Sequence, residues 1–200
     1  HKLSLCENEN ELDVSNLGSV YDLNLCGCNF LIGISSLEFV HTLDLSCTDI
    51  EDVSMLGGVH TLNLSDCGNI KNVDRLSSVY NLNLSNCNLE NINNLKYVYK
   101  LNLSGCESLI NVSGLQLVHE LNLSRCNNIS NVSMLYSVRI LNLTFCKKIK
   151  DIGNLRNLEE LHINTHIDGI HLLKNSKKII INRICGSVTR YKKYKDVKKI

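Results

Sequence analysis

The chain returns to a Leu-x-Leu pair every 19 to 20 residues: Leu3/Leu5, Leu23/Leu25, Leu43/Leu45, Leu62/Leu64, Leu82/Leu84, Leu101/Leu103, Leu121/Leu123, Leu141/Leu143 and, with one replacement, Leu161/Ile163. Self-similarity at this spacing specifies a solenoid, because a unit so short cannot bury its apolar side alone and must stack on the next. The alternation predicts a short strand in each unit, with its two leucines inward and the residue between them outward. After each pair the apolar residues fall three apart, as at Ile70, Val73 and Leu76 or Ile129, Val132 and Leu135. That interval suits a 3₁₀ turn or an extended return better than a full helix. The strands are therefore expected to stack in parallel.

One unit reads Leu62-Asn63-Leu64-Ser65-Asp66-Cys67 and continues through Ile70, Val73 and Leu76. It resembles the leucine-rich-repeat core, L-x-x-L-x-L-x-x-N/C, and the resemblance runs over residues 1 to about 173. It implies a solenoid of the α/β horseshoe class with eight to nine repeats in 1–173. A parallel β-sheet would form one face, and 3₁₀, short-helix or extended return segments the other. Residues 174–200 would be a basic C-terminal cap or tail. The return segment from Asp49 through Ile50, Asp52 and Val53 to Leu56 is similar to internalin-type repeats. The recurring cysteine resembles that of F-box-type repeats, although those are longer and carry helices. A parallel β-helix is the alternative fold, and it needs further alternating strands in each coil.

Eight of the ten cysteines recur once per unit: Cys6, Cys26, Cys47, Cys67, Cys87, Cys106, Cys126 and Cys146. Equivalent sites on successive coils make a column, whereas the disulfide framework of a small secreted domain staples distant segments. The expectation is a file of reduced, buried thiols whose weak S–H groups turn toward backbone carbonyls. A line of sulfurs about 4.8 Å apart cannot surround a tetrahedral ion, so neither metal nor cofactor is expected. Asn63, Asn83, Asn102, Asn122 and Asn142 each begin an Asn-Leu-Ser or Asn-Leu-Thr sequon on an expected strand. Glycans there would cover one face, which favours a cytoplasmic location and makes the sequons by-products of the repeat. The chain lacks Ala, Pro and Trp and is crowded with Asn, Lys and Ile. That is the composition an AT-rich genome produces, viral or cellular, and a viral source would place the protein in host cytoplasm.

No Gly-rich phosphate loop, His-Glu-x-x-His helix or Gly-x-Ser-x-Gly elbow occurs, and the chain is read as a non-enzyme. His41, His60 and His119 share one repeat position, and like groups in a row do not converge on a reacting atom. No apolar run approaches the roughly 18 residues of a membrane span. Charge is uneven: residues 174–200 hold ten basic residues and one acid, a net +9, against −8 for the rest. Such a tail could meet nucleic acid, but it lacks a nucleic-acid motif and offers only Tyr191 and Tyr194 for stacking. Nucleic-acid binding is therefore disfavoured, and a cap in which Ile179, Ile180 and Ile181 add a last strand is preferred.

What remains is surface. The outward strand positions give a nearly constant file through Asn63, Asn83, Asn102 and Asn122, flanked by a variable file containing Lys100 and Glu120. One position earlier lie His60, Tyr80, Tyr99 and His119, and tyrosine is a favoured interface anchor. Those ten residues are the candidate partner-binding site, although Asn ladders and flat-lying rings also occur simply to satisfy one another. The expected function is an intracellular protein-interaction module, a monomer holding a protein partner on its sheet. It could be the substrate-recognition part of an F-box-like ubiquitin-ligase adaptor. An internalin-like surface protein that binds a receptor is the alternative, with polyanion binding through the tail a third. His1 enters in mid-repeat with no leader before it, so a longer polypeptide is expected, with any signal peptide absent or removed.

Overall fold

The computed structural model describes residues 1–164, 173, 176–181 and 190–192, with backbone alone for 181 and 190–192. Each Leu-x-Leu segment is a strand: β1 (Lys2–Ser4), β3 (Asp22–Asn24), β5 (Thr42–Asp44), β6 (Thr61–Asn63), β7 (Asn81–Asn83), β8 (Lys100–Asn102), β9 (Glu120–Asn122), β10 (Ile140–Asn142) and β11 (Glu160–Ile163). With β12 (Lys178–Ile181) they form one parallel sheet in chain order, and β13 (Arg190–Lys192) closes it antiparallel to β12. Two short strands on the return side, β2 (Leu12–Asp13) and β4 (Leu31–Ile32), pair separately.

Register is set by the leucines. Leu82 pairs with Leu62 and Leu101, and the residues on either side pair in step. A slip of one residue would turn every leucine to solvent, so the apolar pattern leaves a single solution. The third link of the coil, Ser54–Gly58, Asp74–Ser78 or Asn93–Tyr97, is a 3₁₀ turn. A backbone bond three residues back closes it, as from Val79 N–H to the Leu76 carbonyl at 3.1 Å. Each coil from β5 to β10 thus buries seven side chains around its circuit, whereas Leu3, Leu5, Leu31 and Ile34 in the first two are only partly buried. In the central one, Leu82, Leu84, Cys87, Leu89, Ile92, Leu95 and Val98 are all 2% exposed or less.

The strand leaves the sheet through a left-handed residue in eight successive coils: Glu7, Gly27, Cys47, Asp66, Asn86, Gly105, Arg125 and Phe145 all have φ between 57° and 75°. This turn corrects the cysteine column. Three of the eight expected members are not in it: Cys6 and Cys47 are exposed and Cys26 half-buried. The buried file is Cys28, Thr48, Cys67, Cys87, Cys106, Cys126 and Cys146. The cause is register, since the inward position falls three residues after the second leucine, whereas Cys6 and Cys26 come one after it and Cys47 two after it. The expected S–H to carbonyl contacts are present in the true file. Cys67, Cys87, Cys106 and Cys126 donate to the carbonyls of Leu45, Leu64, Leu84 and Leu103, each in the preceding coil, at 3.0 to 3.1 Å.

Of the basic segment, Lys178–Ile181 continues the sheet in register with β11, and Ser176 donates to the Leu158 carbonyl at 2.8 Å. β13 (Arg190–Lys192) then pairs with β12, and residues 174, 175, 182–189 and 193–200, including Tyr194, lie outside the described residues.

Candidate functional site

Three files of side chains run across the outer face of the sheet. The central file is the Asn column, half-buried throughout. Each member first serves its own turn: the side-chain oxygens of Asn63, Asn83, Asn102 and Asn122 accept from the N–H two residues on, in Ser65, Ser85, Ser104 and Ser124, at 3.0 to 3.2 Å. This Asx bond carries the chain out of the strand toward the left-handed residue. The column is thus partly structural, and lateral bonds run from an amide nitrogen to an oxygen that already holds its own turn. Asn63 gives its amide to Asp44 and Asn83 gives its amide to Asn63, at 3.0 and 2.8 Å.

The second file carries charge. Lys100 and Glu120 are strand neighbours that pair with each other at 3.0 Å, and the hydrogen bond to Glu120, with its charge, raises the Lys100 pKa. Toward the C-terminal end Glu160 pairs with Lys178 and His162. Its carboxyl is held below the usual carboxylate value, chiefly by the Lys178 hydrogen bond. Between these pairs stands Ile140, an apolar side chain left exposed at the sheet face.

The third file is a stack. Tyr21, His41, His60, Tyr80, Tyr99 and His119 lie ring on ring, with centroids 4.4 to 4.9 Å apart and planes within 16° of parallel. The strand spacing of about 4.8 Å falls within the aromatic stacking range, so one ring per coil in register must stack. The ring faces of Tyr80 and Tyr99 are therefore occupied, and their edges and hydroxyls are what they present outward. Beyond His119 the file continues as Arg139, Glu159 and Lys177, which are ion-paired and line a hollow of about 490 Å³ with His119, Ser137 and Asn157.

All ten sequence-derived site residues lie on this face, but they do different work. His60, Tyr80, Tyr99 and His119 join one stack, Asn63 and Asn83 one hydrogen-bonded ladder, and Lys100 and Glu120 one ion pair. Asn102 and Asn122 line an open groove of about 360 Å³ with Lys100, Glu120, Ile140, Asn142 and His162. Asn142, Ile140 and His162 belong there as well and are not among the ten, although they lie on the same outward files and a lone isoleucine among Asp, Thr, Asn, Lys and Glu at its repeat position is a legible signal. Among the described residues no cluster of three or more His, Cys, Asp or Glu could hold a metal ion, and no helix is long and apolar enough to cross a membrane.

No family profile and no curated protein sequence matches the chain. Solved structures do. An internalin, InlF, from Listeria monocytogenes superposes with a TM-score of 0.65 at 19% identity, over 84% of this chain and 55% of that one. Internalin C2 from the same organism gives 0.56 at 17%, over 90% and 80%. The mouse RP105/MD-1 complex gives 0.58 at 17%, over 92% and 42%. The chain therefore spans little more than half the length of the InlF structure. Repeat period, in-register parallel sheet, 3₁₀ returns and these likenesses together make it a solenoid of the leucine-rich-repeat fold.

Proposed function

We propose that the chain is a protein-binding module that holds its partner on the outer sheet face, over β7 to β11. The observation that carries this reading is the groove around Ile140, where an exposed apolar side chain sits between two ion pairs and beside half-buried amides. An apolar centre with a polar, charged rim is the arrangement of a binding hot spot. Tyr80 and Tyr99 precede Asn81 and Lys100 of that lining in the chain, with His60 and His119 stacked on their outer ring faces. RP105 is solved in complex with MD-1, which supports partner binding as a use of the fold. The test is a library screen for binding proteins followed by Ile140→Asp. The substitution should weaken a partner by more than about 2 kcal/mol, while Lys71→Glu on the return side leaves it unchanged. The reverse pattern would overturn the sheet-face reading.

Within this reading the module acts in the cytoplasm, as the substrate-recognition part of an F-box-like adaptor. A second version, a surface protein that binds a receptor, is favoured by the likeness to two internalins. Residues flanking this segment in the full open reading frame separate the two: an F-box supports the first and a secretion signal the second.

A further inference from the structure

The central file of the sheet is hydrogen-bonded differently in its two halves. From β5 to β7 the amides are spent on one another, Asn83 to Asn63 and Asn63 to Asp44. The donation stops at β8. Asn102, Asn122 and Asn142 have their side-chain oxygens engaged by the N–H groups of Ser104, Ser124 and Thr144, at 3.0 to 3.1 Å. Among the described residues no acceptor partners their Nδ2 groups. These same three amides line the groove around Ile140. Two independent features, a break in the ladder and a hollow, thus coincide, and the unpaired groups along the file are donors.

A ligand seated there needs acceptors turned to the file and no N–H aimed at it, because a buried donor that loses its water and finds no partner is penalised. An ordinary backbone carries one N–H per residue, and a proline backbone carries none. Spacing points the same way. Asn102 pairs in register with Asn122, and Asn122 with Asn142, so the first and third amides stand two strand spacings apart, about 9.6 Å. A polyproline II helix repeats its orientation every three residues, about 9.3 Å. An extended strand presents carbonyls on one side every two residues, about 6.7 Å, which matches neither one spacing nor two.

We infer that the groove over β8 to β11 binds a proline-rich segment in the polyproline II conformation, laid across the strands. Carbonyls three residues apart accept from Asn102 and Asn142, Asn122 between them keeps a bridging water, and a pyrrolidine ring packs on Ile140. The inference rests on the sheet-face reading above and names the backbone class of the ligand.

The probe is acetylated, amidated decaproline, which is uncharged and whose ten residues offer backbone acceptors and no backbone N–H, the terminal carboxamide being its one donor group. An acetylated, amidated Gly-Ser decamer serves as reference, with both titrated calorimetrically. Decaproline should bind saturably and at least tenfold more tightly than the reference. Asn102→Asp combined with Asn142→Asp removes the donors yet keeps the oxygen that holds the turn, as Asp44 already does for Ser46 N–H at 2.9 Å. That variant should melt within a few degrees of the parent and bind decaproline at least tenfold more weakly, while Asn24→Asp in β3, far from the groove and with its oxygen likewise held by Cys26 N–H at 2.9 Å, stays within twofold. Equal binding of the two peptides, or undiminished binding by the double variant, overturns the inference. If decaproline fails while Ile140→Asp still abolishes binding of a screened protein partner, the ligand class falls and the sheet-face reading stands. If both fail, both fall.

Discussion

A single cysteine shows how the interior is specified. Cys87 is 2% exposed and donates to the Leu64 carbonyl of the coil below at 3.1 Å. In the third coil the same place is taken by Thr48, whose hydroxyl finds the Leu45 carbonyl at 2.8 Å and meets Cys67 at 3.5 Å. Thr48 turns its hydroxyl to the carbonyl of its own coil, so Cys87→Thr can satisfy its hydroxyl in the same way and should cost less than about 1 kcal/mol. Cys87→Val, similar in volume, has no donor for either carbonyl and should cost about 1 to 3 kcal/mol. Denaturant melts of the two variants decide this, and a valine as benign as threonine would remove the hydrogen bond from the account. The thiols also set an alkaline limit. Burial pushes Cys87, Cys106 and Cys126 up to about 12 and Cys146 to about 11, from an ordinary value of 9.0. Above pH 9 the unfolded chain releases these protons while the folded one keeps them. Their contribution is whole below pH 9 and is lost between pH 9 and about 12, at roughly 1.4 kcal/mol per pH unit for each thiol. Unfolding should therefore steepen above pH 9, with a step of thiolate absorbance from these four buried residues appearing as the fold is lost, and Cys106→Thr should move the transition to higher pH.

At the level of the element, the left-handed turn after each strand is the most demanding piece of backbone. Asn, Asp and Gly occupy it comfortably, and the chain uses Gly27, Asp66, Asn86 and Gly105 there. Arg125 and Phe145 sit less easily, and the Arg125 guanidinium lies 5.8 Å from the Phe145 ring. Gly105 has a second constraint, because a Cβ there would meet the Asn86 side-chain oxygen. Gly105→Ala should accordingly cost about 1 to 2 kcal/mol, and Phe145→Gly should be neutral or stabilising despite the lost ring contact. Thermal melts check both, and an Ala as stable as Gly would show that the turn relaxes. The ring stack is likewise a property of the row. Tyr99→Ala removes both its ring contacts, to Tyr80 and His119, at about 0.5 to 1.5 kcal/mol each, so any effect on binding must be separated from lost stability. Tyr99→Phe keeps the stack and tests the hydroxyl alone.

For the whole molecule, stability is a sum over neighbouring coils, and the ends are where it leaks. At the C-terminal end β12 lies on β11, and Leu173 and Ile179 are buried with Leu161 and Ile163. Deleting residues 174–200 should expose that end, lower the melting temperature and promote association, read by light scattering. An unchanged melt and a monodisperse monomer would instead leave the basic segment an electrostatic role. The period of the Leu-x-Leu pairs by itself determined the solenoid, the parallel register and the tight returns, because each is a consequence of burying the same two faces 19 or 20 residues apart. It also located the outward files, since alternation along a strand is strict. It misplaced the start of the cysteine file, because the inward position depends on the left-handed turn, and composition does not announce where that turn begins. The difference between Asn83 and Asn102 lies wholly in the tertiary structure. Both residues read Asn-Leu-Ser and both follow an asparagine in the sheet, yet only Asn83 gives its amide to that neighbour, because side-chain geometry across the strands, which the repeat does not encode, decides whether the amide is spent.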